Sequence, residues 1–274
     1  GWTPGGFPVC TAQGEQTLPQ IINDESLGAI MVWQDGRSFL NKGFDIYAQR
    51  AHYTEKIKWA ADGVGICLDS HHQYAPKISV AGSGAAIMAW VDTRAGKDGD
   101  IYAQKVDNAG VLQWAADVAV CAATSVQDNI QMLSDGSGGA VVAWQDKRSG
   151  LGTYDLYCQR LDGTGAPLWT AGGAALCNVA GDQQNAQMCL DSTGGAIFIW
   201  QDKRNGNWDI YAQRMSAGGA AVWAANGVPV CAAAGDQQFP QIVSDGGGGV
   251  IIIWQDARNG NADIYCQKLF YANL

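Results

Sequence analysis

The sequence predicts an all-β protein: a five-bladed β-propeller of four-stranded antiparallel blades. Three observations carry this. First, a segment of the form Trp-Gln-Asp-x-Arg, a short polar gap and Asp-Ile-Tyr-Ala-Gln-Arg recurs five times, its first Trp at Trp33, Trp90, Trp144, Trp200 and Trp254. The steps are 57, 54, 56 and 54 residues, a period at which each unit must stack on neighbours to bury its apolar face. Second, the apolar runs are strand-length and show no helical periodicity. Third, Gly makes up 36 of 274 residues, which suits many tight turns that need positive φ.

Each unit reads as four strands in order. The first is short, as in Pro240-Gln241-Ile242-Val243-Ser244, and a Gly-rich turn such as Asp245–Gly249 follows. The second is an apolar run into the repeated Trp, Ala140–Trp144 or Val250–Trp254, the pattern of a strand covered on both faces. The third is Asp-Ile-Tyr-Ala-Gln-Arg, whose Tyr and Gln alternate with Ile and Ala. The fourth begins near a second repeated Trp and ends at a repeated Cys, as in Trp223…Val228-Pro229-Val230-Cys231.

In the four internal copies the third-strand Tyr precedes the second Trp by 12 residues: Tyr47 to Trp59, Tyr102 to Trp114, Tyr157 to Trp169, Tyr211 to Trp223. The fifth copy has Tyr265 and no such Trp, while Gly1-Trp2…Pro8-Val9-Cys10 has the spacing of Trp59 to Cys67. The amino-terminal strand is therefore expected to complete the last blade, which removes the open edge of a linear array. This makes one domain over 1–274, with blades at about 11–67, 68–121, 122–177, 178–231, and 232–274 plus 1–10. A solenoid is the alternative architecture, and it would carry atypical caps. The same strand, completing a neighbouring molecule's blade instead, would produce self-assembly.

The repeated unit resembles repeats of large secreted and cell-surface bacterial proteins, and the resemblance covers essentially the whole chain. The count of five resembles tachylectin-type lectins in architecture only. The resemblance implies an extracellular or cell-surface location. A chain opening at Gly1-Trp2, without Met or a signal peptide, reads the same way, as a mature secreted protein or a part of a larger parent protein. The Gly-rich turns resemble the Asp-box of sialidase-like propellers, but the Trp comes too late after the Asp (Asp135 to Trp144), so that chemistry is not carried over.

Net charge is −9 with no cluster of Lys or Arg. That argues against nucleic acid and anionic membrane surfaces as partners. No apolar run approaches the roughly 18 residues of a membrane helix.

Two repeated polar motifs share the loop end of the blades. The first comprises Asp35/Arg37/Asp45, Asp92/Arg94/Asp100, Asp146/Arg148/Asp155, Asp202/Arg204/Asp209 and Asp256/Arg258/Asp263. An Arg between two carboxylates makes paired charge-assisted hydrogen bonds, and it reads as a structural clamp on the loop rather than a ligand site. Asn205-Gly206-Asn207 and Asn259-Gly260-Asn261 add oxygens, but the neighbouring Arg works against a cation. The second motif is Gln16, Gln73, Gln127, Gln183 and Gln237, which is expected to ring the channel mouth. There it would either bind sugar hydroxyls or satisfy carbonyls between blades.

Trp33, Trp90, Trp144, Trp200 and Trp254 end apolar strands and read as core. Trp2, Trp59, Trp114, Trp169 and Trp223 read as packing at the outer strands. Trp208 breaks the pattern in a loop and is the expected exposed contact. The only His residues are His52, His71 and His72, and they do not make a metal site. The carboxylates near the channel, Glu15, Asp182 and Asp236, are the ones that could supply the acid pair of a five-bladed glycosidase. Asp182 and Asp236 sit in matching Gly-Asp-Gln-Gln turns and read as turn chemistry. Of eight Cys, Cys10, Cys67, Cys121, Cys177 and Cys231 repeat, while Cys158 and Cys266 replace Ala. Cys158–Cys177 and Cys10–Cys266 are the bridges the strand order suggests.

The expected function is a non-enzymatic extracellular interaction module, multivalent and carbohydrate-binding, with a glycan or protein ligand and no metal or cofactor. A structural subunit of an extracellular assembly is the second reading. A glycoside-acting enzyme is the third.

Overall fold

The computed structural model describes residues 4–54, 56–96, 98–150 and 152–271. Five antiparallel sheets follow one another along the chain. The first contains β1 Gln16–Asn23, β2 Gly28–Asp35, β3 Asp45–His52 and β4 Val64–Cys67. The second contains β5 Gln73–Val80, β6 Ala86–Asp92, β7 Asp100–Val106 and β8 Val118–Cys121. The third contains β9 Gln127–Ser134, β10 Ala140–Asp146, β11 Asp155–Leu161 and β12 Ala174–Cys177. The fourth contains β13 Gln183–Leu190, β14 Ala196–Asp202, β15 Asp209–Met215 and β16 Val228–Cys231. The fifth has three strands among the described residues, β17 Gln237–Ser244, β18 Gly249–Asp256 and β19 Asp263–Phe270. One short helix, α1 Phe39–Lys42, lies in the β2–β3 loop.

Two expectations change. The fourth strand is only four residues long, and the repeated Trp sits ahead of it in a turn. The strand expected at Gly1–Cys10 falls partly outside the described residues, and residues 4–10 carry no strand.

Four of the first strands, β1, β5, β13 and β17, carry a register shift, between Thr17 and Gln20, Tyr74 and Lys77, Gln184 and Gln187, and Gln238 and Gln241. The extra residue takes positive φ, as at Ala75 (52°), Asn185 (55°) and Phe239 (54°). A bulge frees a backbone N–H from the ladder, and an upstream Gln takes it. Gln34 Oε1 accepts from Ala75 N at 3.2 Å, Gln145 from Asn185 at 3.1 Å and Gln201 from Phe239 at 3.2 Å. The Gln of Trp-Gln-Asp thus ties one sheet to the first strand of the next.

The chain falls into two compact units, residues 1–140 with 161–167, and residues 141–160 with 168–274. In the first, Ile30, Val32, Ile46 and Ala48 pack with Ile78, Ala86, Met88 and Trp90. In the second, Ile197, Ile199, Ile210 and Ala212 pack with Val250, Ile252 and Trp254. Three second strands, β6, β10 and β14, are buried at every position, the pattern of strands covered on both faces. Gly227 shows how tight the fit is. Its φ is +84°, and a Cβ there would lie 2.4 Å from the Trp200 ring.

Candidate functional site

The Asp-Arg motif builds the same cluster in every sheet. The first Asp of each (Asp35, Asp92, Asp146, Asp202, Asp256) is fully buried. Its carboxylate accepts from the Trp two residues before it, at 2.8–3.0 Å. It also accepts from the Arg backbone N–H at 2.8–3.0 Å and from the guanidinium at 2.5–2.8 Å. The guanidinium lies 3.7–4.1 Å over the third-strand Tyr ring. Its Nη2 then reaches the turn before a fourth strand: Asp62 O from Arg37, Gly172 O from Arg148, Asn226 O from Arg204, and the Asp117 carboxylate from Arg94. Charge-assisted bonds to a buried carboxylate are among the strong ones, and Arg258 holds the Asp256 carboxyl well below the usual carboxylate range.

The Arg of each motif thus grips its first Asp, and in several copies also a turn ahead of a fourth strand, not two Asp residues as expected. The second Asp of the motif has other partners in the first, fourth and fifth sheets. Lys42 lies 2.8 Å from Asp45, Asn205 and Asn207 donate to Asp209, and Asn259 and Asn261 donate to Asp263. Burial raises the Asp45, Asp100 and Asp155 carboxyls.

Cysteine completes the cluster, a role the sequence reading missed. Arg94 Nη2 lies 3.0 Å from Cys67 Sγ, Arg204 3.0 Å from Cys177, Arg258 2.9 Å from Cys231 and Arg37 3.5 Å from Cys10. The signal was available, because each of these Cys precedes its clamp Asp by 25 residues.

The expected bridges do not form. None of the cysteines is in a disulfide. Cys177 lies opposite Leu156 across the strand pair, whereas Cys158 lies opposite Ala174 and donates to its carbonyl at 3.6 Å. Burial pushes the Cys177 thiol up to about 12; such thiols are inert. Titration of the unfolded chain without reductant is expected to count eight thiols. In the native chain the exposed Cys266 is expected to react first. A count of six or fewer would restore a bridge.

The Gln ring is corrected as well. Gln73, Gln127, Gln183 and Gln237 are fully buried. Their Nε2 atoms donate to carbonyls of their own turns, at His71, Ser125, Gly181 and Gly235. Gln16, half-buried, does the same at Gly14. A side chain sealed from solvent cannot meet a ligand, so these residues close loops. Trp208 is only half-buried, with Lys203 Nζ 5.3 Å over its ring. Its backbone is fixed on both sides, N to Asp236 Oδ1 at 2.9 Å and O from Gln237 N at 2.6 Å. The outer Trp59, Trp114, Trp169 and Trp223 are buried; Trp2 lies outside the described residues.

Asp182 and Asp236 are turn acceptors, as expected: Asp182 Oδ1 accepts from Tyr154 N, and Asp236 Oδ1 from Trp208 N, both at 2.9 Å. His72 does the same work for Phe44, accepting its N–H on Nδ1 at 3.0 Å. That bond needs an unprotonated Nδ1, and burial lowers the His72 pKa. A depressed value means the unfolded chain binds the proton first, so this contribution is complete above about pH 6.5 and is lost as pH falls through the folded value. The raised Asp45, Asp100 and Asp155 have the opposite sign and gain stability as pH falls. His72→Asp, which copies the other joints, is expected to flatten the melting temperature between about pH 7 and 5. An unaltered pH profile would remove His72 from this role.

A candidate ligand cleft lies at the first sheet. Nine residues separate Asp35 from Asp45, against seven, eight, six and six in the later copies. The extra length forms α1. It holds Phe39 half out of the protein, at 52 % exposure, and Leu40 at 98 %. Beside them is a cleft of about 490 Å³, lined by Gln13, Glu15, Arg37, Ser38, Phe39 and Phe44. This falls in the size range of small-ligand sites, about 300–1,000 Å³. Phe39 and Phe44 meet at 4.9 Å, and Phe44 continues through His72 to Tyr74 at 5.7 and 4.8 Å. The floor is backbone: Gly36 N donates to Glu15 O at 2.6 Å. Gly14, at φ +93°, lets the loops approach, since a Cβ there would sit 2.5 Å from Gly36 O.

No protein-family model matches the chain, and no curated protein matches it. Solved structures do. A polysaccharide lyase of the ulvan lyase family PL25, bound to a GlcA–sulfated rhamnose saccharide, aligns at TM-score 0.59 with 10% identity, over 92% of this chain and 66% of that one. A protein of unknown function from Dyadobacter fermentans aligns at 0.55 with 11% identity, over 96% and 80%. The polysaccharide lyase Uly1 aligns at 0.52 with 10% identity, over 92% and 77%. At such identity the likeness is one of fold. It corrects the expectation of a non-enzymatic protein: the chains that share this fold include polysaccharide lyases, so the fold carries catalysis as well as binding. Among the described residues no helix is long and apolar enough to cross a membrane.

Proposed function

We propose that this chain is an extracellular carbohydrate-engaging propeller and that the cleft of the first sheet makes the contact. The observation that carries this is the exposed Phe39 beside an amide, a carboxylate and a hydroxyl, from Gln13, Glu15 and Ser38. A sugar ring offers an apolar face to an aromatic side chain, and its hydroxyls both donate and accept. Fold likeness to polysaccharide lyases supports the reading. Titration calorimetry against a panel of soluble polysaccharides is expected to find a ligand. Phe39→Ala should weaken it at least tenfold without lowering the melting temperature. A parallel assay for new reducing ends or unsaturated uronate decides whether the ligand is also cleaved. Absence of binding across the panel would overturn the proposal.

A second reading, self-association, rests on the fifth sheet. Ile251, Ile253 and Ile264 are exposed, Ile264 at 74 %, whereas Ile197, Ile199 and Ile210 at the matching positions are at 0 %. In the fourth sheet that face is covered by the next sheet. Apolar patches of this kind mark association surfaces. Sedimentation should show concentration-dependent oligomers that Ile264→Glu dissolves.

A further inference from the structure

We propose that the first-sheet cleft selects neutral saccharides and rejects uronate or sulfate polymers; this rests on the carbohydrate reading above. The argument is one of charge. A site for an acidic sugar needs a cation free to pair with it, and an unspent Arg fork serves best. The cleft has one guanidinium, Arg37, and it is already engaged. Its Nε and Nη2 donate to the two Asp35 oxygens at 2.8 Å each, and Nη2 donates again to Asp62 O at 2.8 Å. Its flat face is held over Tyr47 at 3.7 Å. Lys42, in the same β2–β3 loop, lies 2.8 Å from Asp45 and donates to Leu68 O at 2.9 Å.

The groups left to meet a ligand are then an aromatic face, an amide, a hydroxyl and a carboxylate. Glu15 is exposed at the lip of the cleft, so an incoming carboxylate or sulfate meets a like charge, while the cation lining the cleft, Arg37, is already paired with Asp35. The chain as a whole carries −9, which adds long-range repulsion toward polyanions. A neutral pyranose or furanose meets neither obstacle. Its hydroxyls can donate to Glu15 and exchange bonds with Gln13 and Ser38, while its C–H face rests on Phe39. Leu40, which also lines the cleft, adds to that apolar surface.

The test uses matched polymers: neutral glucans and galactans, and the same chains with the C6 hydroxymethyl oxidised to carboxylate. The neutral form is expected to bind at least tenfold more tightly at about 50 mM salt, with the ratio shrinking as salt screens the repulsion. Glu15→Gln should narrow the ratio by improving the oxidised forms, and Glu15→Lys should reverse it. Phe39→Ala should weaken neutral binding, and Phe39→Trp should retain it. Equal or tighter binding of the oxidised polymers by the native chain would overturn the inference and leave the carbohydrate reading standing. Failure of both series would overturn both.

Discussion

Trp200→Ala is expected to cost about 3–5 kcal/mol of unfolding free energy, the range for removing a buried aromatic side chain. Trp200 is at 0 % exposure among the largest buried side chains. Two losses combine. The ring packs against Gly227, whose missing Cβ leaves room only for it, and its removal opens a cavity that rigid strands on both sides cannot fill. Asp202, also at 0 % exposure, loses the indole N–H that donates to Oδ2 at 2.8 Å. Phe at this position separates the two terms, restoring much of the packing but no donor, and should cost about 1–3 kcal/mol. Denaturant unfolding followed by circular dichroism reads both. A cost below about 1 kcal/mol for the Ala variant would mean that the ring is not the core element described here.

Arg204→Ala is expected to cost about 3 kcal/mol, the lower end for breaking a buried ion pair by removing one partner. The lower end applies because the Arg side chain is 18 % exposed, so water can reach part of the site. What remains is a fully buried Asp202 carboxylate with its strongest donors gone, and a turn at Asn226 O that nothing ties down. Arg204→Lys should recover little, since an ammonium cannot bond both carboxylate oxygens and lie flat over Tyr211. Arg148→Ala should behave alike, because it joins Asp146, Gly172 O and Tyr157 in the same way. An unchanged melting temperature in both variants would count against the clamp. The loss falls on stability; an effect confined to ligand binding would give these arginines a different role.

Much of the architecture was legible because the repeat compares the chain with itself. Five copies of the Trp strand and the Asp-Ile-Tyr strand locate second and third strands within a residue or so, and the register pairs Asp202 with Asp209 and Asp256 with Asp263 at their ends. The candidate site was not legible, for the same reason. Repetition draws attention to Gln183 and Gln237, which turn out to be sealed inside. Phe39 and Leu40 occur once, in a loop with no counterpart, and carry no pattern. The direction in which Gln34, Gln145 and Gln201 point depends on a bulge in the following sheet, which no local propensity encodes.

By itself, then, the sequence determined an all-β chain of repeated sheets and the core Trp positions, and it argued against polyanionic partners, because these follow from periodicity and net charge. Only the tertiary structure decided what touches what. It set Cys177 beside Arg204 instead of Cys158, paired Arg37 with Asp35 and Asp62 O, and left Phe39 at the lip of a cleft. Such choices rest on one-residue register shifts and on packing between sheets, and a shift of one residue turns a side chain from one face to the other.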